Sequence, residues 1–227
     1  MTLPLTILDW VALAVFALAW IGYASITDRV KSIRARSVIA AMDEHRHRWM
    51  RAALGRENRI ADIAAIGNLM SSTSFLATTS ILVLGGLVAM LSAPDPARHV
   101  VAVLPWSQMP DEMMWELKIG LLLVIFVKTF FEFTWALRQF NYTSTLLMGM
   151  PLDPHAVGHA DAAAKLANRA ARHFNTGLRA YYFGLAALAW IIHPLALIVA
   201  SLLVLRELHR REFRSVARDA LATREVR

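Results

Sequence analysis

The chain has 227 residues, 57% of them hydrophobic and 18% charged, with a positive mean hydropathy and a formal charge of +7. A soluble domain usually carries about a quarter charged residues, so an apolar excess gathered in runs excludes an ordinary soluble fold and indicates a polytopic membrane protein. Cysteine is absent, which excludes disulfide frameworks, iron–sulfur clusters and thiolate zinc sites. The Arg residues flank apolar segments instead of forming a nucleic-acid patch, so no nucleic-acid partner is expected.

The opening "MTLPLTILDWVALAVFALAWIGY" has no basic leader region and no small-residue cleavage site, and is taken as a retained first span at about 10–26. A helical, basic segment follows over about 27–67. The stretch "RENRIADIAAIGNLMSSTS" then keeps helical periodicity into a second span at about 73–92. Its run "SSTSFLATTS" can satisfy hydroxyls on carbonyls one turn back, and Gly85–Gly86 permits close helix contact.

A third span, about 115–136, contains two opposite charges one turn apart, Lys128 and Glu132. "LRQFNYTSTLLMGMP" continues it until Gly149–Met150–Pro151 stops the helix. In the segment 138–175, Asp153 is the expected N-cap of the next helix, with Pro154 in its first turn. A fourth apolar stretch, 176–209, is interrupted by His193–Pro194 and is either one kinked span or a hairpin of two short legs. A basic tail occupies 210–227. The fold class is all-α: a transmembrane helical bundle, one membrane domain over 1–227, with helices extending into the cytoplasm.

Basic residues number nine in 27–67, one in 93–116, five in 138–180 and seven after Leu205. Segments rich in Lys and Arg stay cytoplasmic, so the N-terminus is placed outside the membrane. A single fourth crossing scores 14 basic residues inside against 8 outside. An outer turn at His193–Pro194 scores 21 against 1, which favours the hairpin and a cytoplasmic C-terminus. The expected location is a bacterial inner membrane.

A charge inside a span costs about 2.5–3.5 kcal/mol on insertion scales and therefore faces a bundle interior with partners. Polar residues at the depth of Lys128 and Glu132 are Tyr23, Asn68, Ser71, Ser72, Arg179 and Tyr181. Together they predict an inner-leaflet polar network, either packed shut or enclosing a proton, ion or solute site. Arg138, Arg179, Arg206, Arg210 and Arg211 are candidates for anionic lipid headgroups. His155 and His159, one turn apart, with His173 elsewhere, are weak metal-ligand candidates. No cofactor is expected.

Four stretches resemble an uncharacterised family of bacterial and plant integral membrane proteins, a domain of unknown function. They are "RENRIADIAAIGNLMSSTSFLATTS", "ELKIGLLLVIFVKTFFEFTWALRQFNY", "HFNTGLRAYYFGLAALAWIIHP" and "LRELHRREFRS". The resemblance implies about four transmembrane helices and no mechanism.

The sequence has no Gly-x-Ser-x-Gly elbow, no phosphate-cradling Gly-rich loop and no paired intramembrane Asp, so an enzyme is not expected and there is no catalytic residue to name. The leading expectation is a structural or assembly protein, a homo-oligomer or a subunit of a membrane complex. The alternatives are an ion, proton or small-solute binding protein or conduit using Lys128 and Glu132, and a protein that binds anionic lipid on the cytoplasmic side.

Overall fold

A computed structural model of the chain describes residues 5–95, 98, 101 and 111–222, and these are almost entirely helical, with no strand among them. The end of the basic tail, 223–227, and most of the loop between the second and third spans lie outside the described residues.

Helix α1 (Ile7–Arg29) opens with Thr6, whose hydroxyl accepts from the backbone of Asp9 while the Asp9 carboxylate accepts from the backbone of Thr6. This reciprocal capping box satisfies donors that a helix start leaves unpaired. Within α1 the turn Leu18–Gly22 widens to a π-helix, which rotates the register of everything after it. A short turn, Lys31–Arg34, leads to α2 (Val38–Ala52), capped by the Ser37 hydroxyl on the Ala40 N–H. Helix α3 (Ile60–Ser92) starts after Asn58, whose side chain accepts from the Ile60 N–H.

Helix α4 (Glu112–Met148) is capped by Asp111, and α5 (Val157–Ile192) begins three residues later than expected from Asp153. Asp153 instead closes a local turn: its carboxylate accepts from the His155 N–H at 2.8 Å and its carbonyl from the Ala156 N–H. Helix α6 (Pro194–Phe213) follows directly, and α7 (Val216–Ala222) ends the described chain. At the α5–α6 break, His193 Nδ1 accepts from the Leu195 N–H at 3.1 Å, so His193 caps α6 while Pro194 occupies a position that needs no donor.

Helices α1, α3 and α4 are long and apolar enough to cross a membrane; α5 and α6 are not among them. In α3 Ser72 bonds back to Asn68 and Thr73 to Leu69, as expected of that run, and in α4 Thr129 and Thr143 do the same to Ile125 and Gln139.

Two compact units share these helices. The first comprises Met1–Val30, Thr79–Thr129 and Leu178–Arg210. Its core holds Phe16, Trp115, Phe126, Phe183, Trp190 and Leu197. Trp20, inside the π turn, stacks on Phe183 with ring centres 6.0 Å apart, and Phe16 meets the same ring edge-on. Gly184 allows a close backbone approach, since a Cβ there would come within 3.0 Å of the Phe126 ring. Leu18, Leu82 and Val124 are exposed, an apolar exterior that suits hydrocarbon.

The second unit comprises Lys31–Thr78, Phe130–Gly177 and Arg211–Arg227. Its core packs Met50, Leu54, Ile66, Phe140, Leu147 and Met150 against a run of alanines on α5. Arg59 ties this unit together. It donates to the carbonyls of Ala53, Met150 and Pro151, joining the start of α3 to the loop after α4. Trp49 and Arg56 both donate to Asp62.

Candidate functional site

The segment "AAAKLANRAARHF" on α5 alternates small and cationic residues. Ala163, Ala164, Ala167 and Ala170 are buried, and their small size lets the backbone approach its neighbours closely. Lys165, Arg169 and Arg172, spaced four and three residues apart, share one exposed face. With His47 of α2, Glu132 of α4 and His173 and Thr176 of α5, they line an open cleft of about 580 Å³ in the second unit.

Glu132 is fixed within this cleft. Its carboxylate accepts from His173 Nδ1 at 2.9 Å, and the His173 ring stands edge-on to Trp135. Gly177 permits that approach, because a Cβ there would lie 2.9 Å from the buried Phe133 ring and 3.2 Å from the Glu132 Cβ. Arg138, on the same stretch of α4, stacks over Trp135 and Tyr142 and donates to the Tyr142 hydroxyl at 2.6 Å.

Beside the cleft, one carboxylate serves three guanidinium groups. Asp43 accepts from Arg46 at 3.2 Å, Arg172 at 3.4 Å and Arg34 at 3.5 Å. Asn168, buried, accepts from Arg46 and donates to the Asp43 carbonyl, which also takes the His47 ring N–H. Burial pulls the Arg46 pKa below its ordinary value; Asp43 opposes that shift and the charge of Arg172 adds to it. Lys165 and Arg169 belong to no ion pair among the described residues. The lining therefore carries excess positive charge.

The first unit holds two further polar clusters. Arg179 donates to both carboxylate oxygens of Asp28, at 2.8 and 3.0 Å, and to the Thr27 hydroxyl. Near the start of α1, buried Asp9 accepts from the Trp190 indole at 2.8 Å, with the Lys118 ammonium 5.5 Å from the Trp190 ring centre.

Of the residues singled out in the sequence, Glu132 and His173 come together in the cleft, although His173 was considered there only as a metal ligand. Arg179 meets Thr27 and Asp28, and Tyr181 packs edge-on to Phe126. Tyr23 is half-buried, while Lys128, Asn68, Ser71 and Ser72 are on exposed surface. Arg206 and Arg211 are exposed, and Arg210 pairs with Glu207. His155 and His159 are exposed near the start of α5, and among the described residues no group of three or more His, Asp or Glu side chains could hold a metal ion.

Sequence reading missed Asp9, Lys118, Asp43, Arg46 and Asn168. For Asp9 a signal was available, since Thr6-x-x-Asp9 ahead of an apolar run is a capping-box pattern. The Asp43 cluster joins residues more than a hundred positions apart, Arg46 and Asn168 being separated by 122, and leaves no local trace.

Neither a curated protein nor a solved structure matches the chain. A family model described as "Protein of unknown function, DUF599" matches residues 11–217, and the chain belongs to that family.

Proposed function

We propose that the chain is a membrane-embedded binding protein whose ligand enters the α2–α4–α5 cleft from the cytoplasmic side. The observation that carries this reading is the open cleft itself, with Glu132 held at its wall by His173. A purely structural network would be packed shut at Glu132, and the space around this residue favours the binding alternative over the scaffold. The scaffold reading draws its support from the first unit, where Asp9 accepts from Trp190 and Arg179 pairs with Asp28.

Sidedness follows from the second unit's segments, which hold most of the Lys and Arg residues; such segments stay cytoplasmic. Trp135 and Tyr142, with Arg138 between them, then sit at the level where aromatic side chains favour the membrane–water interface.

The absence of cysteine makes a direct test simple. Thr176→Cys, on the cleft wall, is expected to react with a membrane-impermeant maleimide in the folded protein, and only from the cytoplasmic face. Ser201→Cys, at a fully buried position, is the control and stays unlabelled until unfolding. Equal protection of the two cysteines would refute an open cleft.

A further inference from the structure

We propose that this cleft is a phosphate site, in which Lys165, Arg169 and Arg172 form the cationic wall and His173, oriented by Glu132, is a further donor. The inference rests on the cleft being open to ligand, as argued above, and adds the chemical class that fills it.

The first support is charge. Among the described residues that line the cleft, Glu132 is the one acidic side chain, and it is already engaged by His173. Asp43, close by, is shared among Arg34, Arg46 and Arg172, so one negative charge faces three positive ones. Lys165 and Arg169 add two cations with no ion pair among the described residues; Asp161, already bonded to Arg51, faces Lys165 only at longer range. Structural arginines usually bring their carboxylate with them; here an anion would be the missing partner.

Geometry is the second support. Residues 165, 169 and 172 span seven residues of one α5 face, roughly 10 Å along the axis at 1.5 Å per residue. That length lets two guanidinium forks and an ammonium converge on one tetrahedral group, and Arg is suited to paired contacts with phosphate oxygens. A metal cation is disfavoured by the same lining.

Position is the third. Glu132 and Thr176 line the cleft, and His173 of the same lining stands edge-on to Trp135, which Arg138 covers. A phosphate borne by a lipid could enter here with its acyl chains still in the bilayer, as headgroups do in basic pockets on the cytoplasmic side. Free phosphate could enter from water and use the same contacts.

The experiment uses the full chain bearing Thr176→Cys, in nanodiscs, and reads protection of that cysteine from maleimide. Three arms compare inorganic phosphate over pure phosphatidylcholine, phosphatidic acid mixed into phosphatidylcholine, and phosphatidylglycerol mixed in at equal charge. Protection by inorganic phosphate identifies a soluble ligand. Protection by phosphatidic acid and not by phosphatidylglycerol or phosphate identifies a lipid phosphomonoester. In the effective arm, Lys165→Gln with Arg169→Gln is expected to weaken protection at least about tenfold, while Arg211→Gln, outside the cleft, leaves it unchanged. Both cleft positions are exposed, and native mass spectrometry of the unsubstituted chain gives a second readout should that variant misfold. A cysteine that labels freely in all three arms overturns the phosphate assignment and leaves the open cleft standing. A cysteine that never labels, ligand or not, overturns both.

Discussion

Trp190 sits at the end of α5, one helical turn before the His193–Pro194 break, and its indole N–H is spent on a buried carboxylate, Asp9. Replacing it by Phe keeps an aromatic ring but leaves one Asp9 oxygen without that donor. The expected cost is about 1–3 kcal/mol, the penalty of a buried group left unsatisfied. Reversible unfolding in detergent measures it, and the losses of Asp9→Ala and Trp190→Phe should be less than additive in the double variant, because each removes the same hydrogen bond. Additive losses would show that the indole and the carboxylate do not interact. Gly177 is the corresponding position beside the cleft. A methyl group there meets the fully buried Phe133 and the Glu132 Cβ, so Gly177→Ala is expected to destabilise by about 1–3 kcal/mol through overpacking. The same substitution should displace Glu132 from His173 and change the labelling rate of a cysteine at Thr176. Unchanged stability and unchanged labelling would mean that α4 and α5 are not closely apposed there.

At the scale of elements, the start of α3 is held by one side chain. Arg59 spreads three donors over the carbonyls of Ala53, Met150 and Pro151, two of them in the loop after α4 whose carbonyls have no helical partner. Lys presents a compact charge and cannot span the three acceptors. Arg59→Lys is therefore expected to cost about 1.5–3 kcal/mol and to speed amide exchange around Gly149–Pro151 before exchange rises elsewhere. Uniform acceleration along the chain would argue against a local clamp. Elements of this kind divide sharply by how readable they are. The long apolar helices and the break at His193–Pro194 were legible, because hydropathy and the Pro-at-first-turn preference act locally. The polar layer inferred from matching depth was less so: depth along a helix says nothing about azimuth, and Asn68, Ser71 and Ser72 are on exposed surface. The alanine-and-arginine face of α5 could have been read from its spacing as one buried and one cationic side. Its partners Asp43, His47 and Glu132 could not, since only the tertiary fold brings them near.

For the whole molecule, the chain's alternation between its two units bears on topology. It leaves the first unit after Val30, returns at Thr79, leaves at Thr129, returns at Leu178, and leaves for the last time after Arg210. Residues 178–192 and 194–210 make legs of about 15 and 17 residues, each roughly 22–26 Å long at helical rise, on either side of a capped break. A single crossing would put residues 211–222 on the opposite face of the membrane from residues 36–39. Instead Glu212 lies near the Ile39 N–H, and Arg218 donates to the carbonyl of Arg36 at 2.9 Å, all within the second unit. Residues 36–39 follow α1 directly, so whichever face of the membrane receives the end of α1 also receives the tail. From the Lys and Arg distribution, that face is expected to be the cytoplasmic one. Alkaline phosphatase fused after Arg227 is accordingly expected to be inactive, and a fluorescent protein fused there to be bright. The reverse pattern would require a single crossing by 176–209. It would also separate Arg218 from Arg36 by the thickness of the bilayer, so substituting Arg218 would then leave the stability of the second unit unaffected.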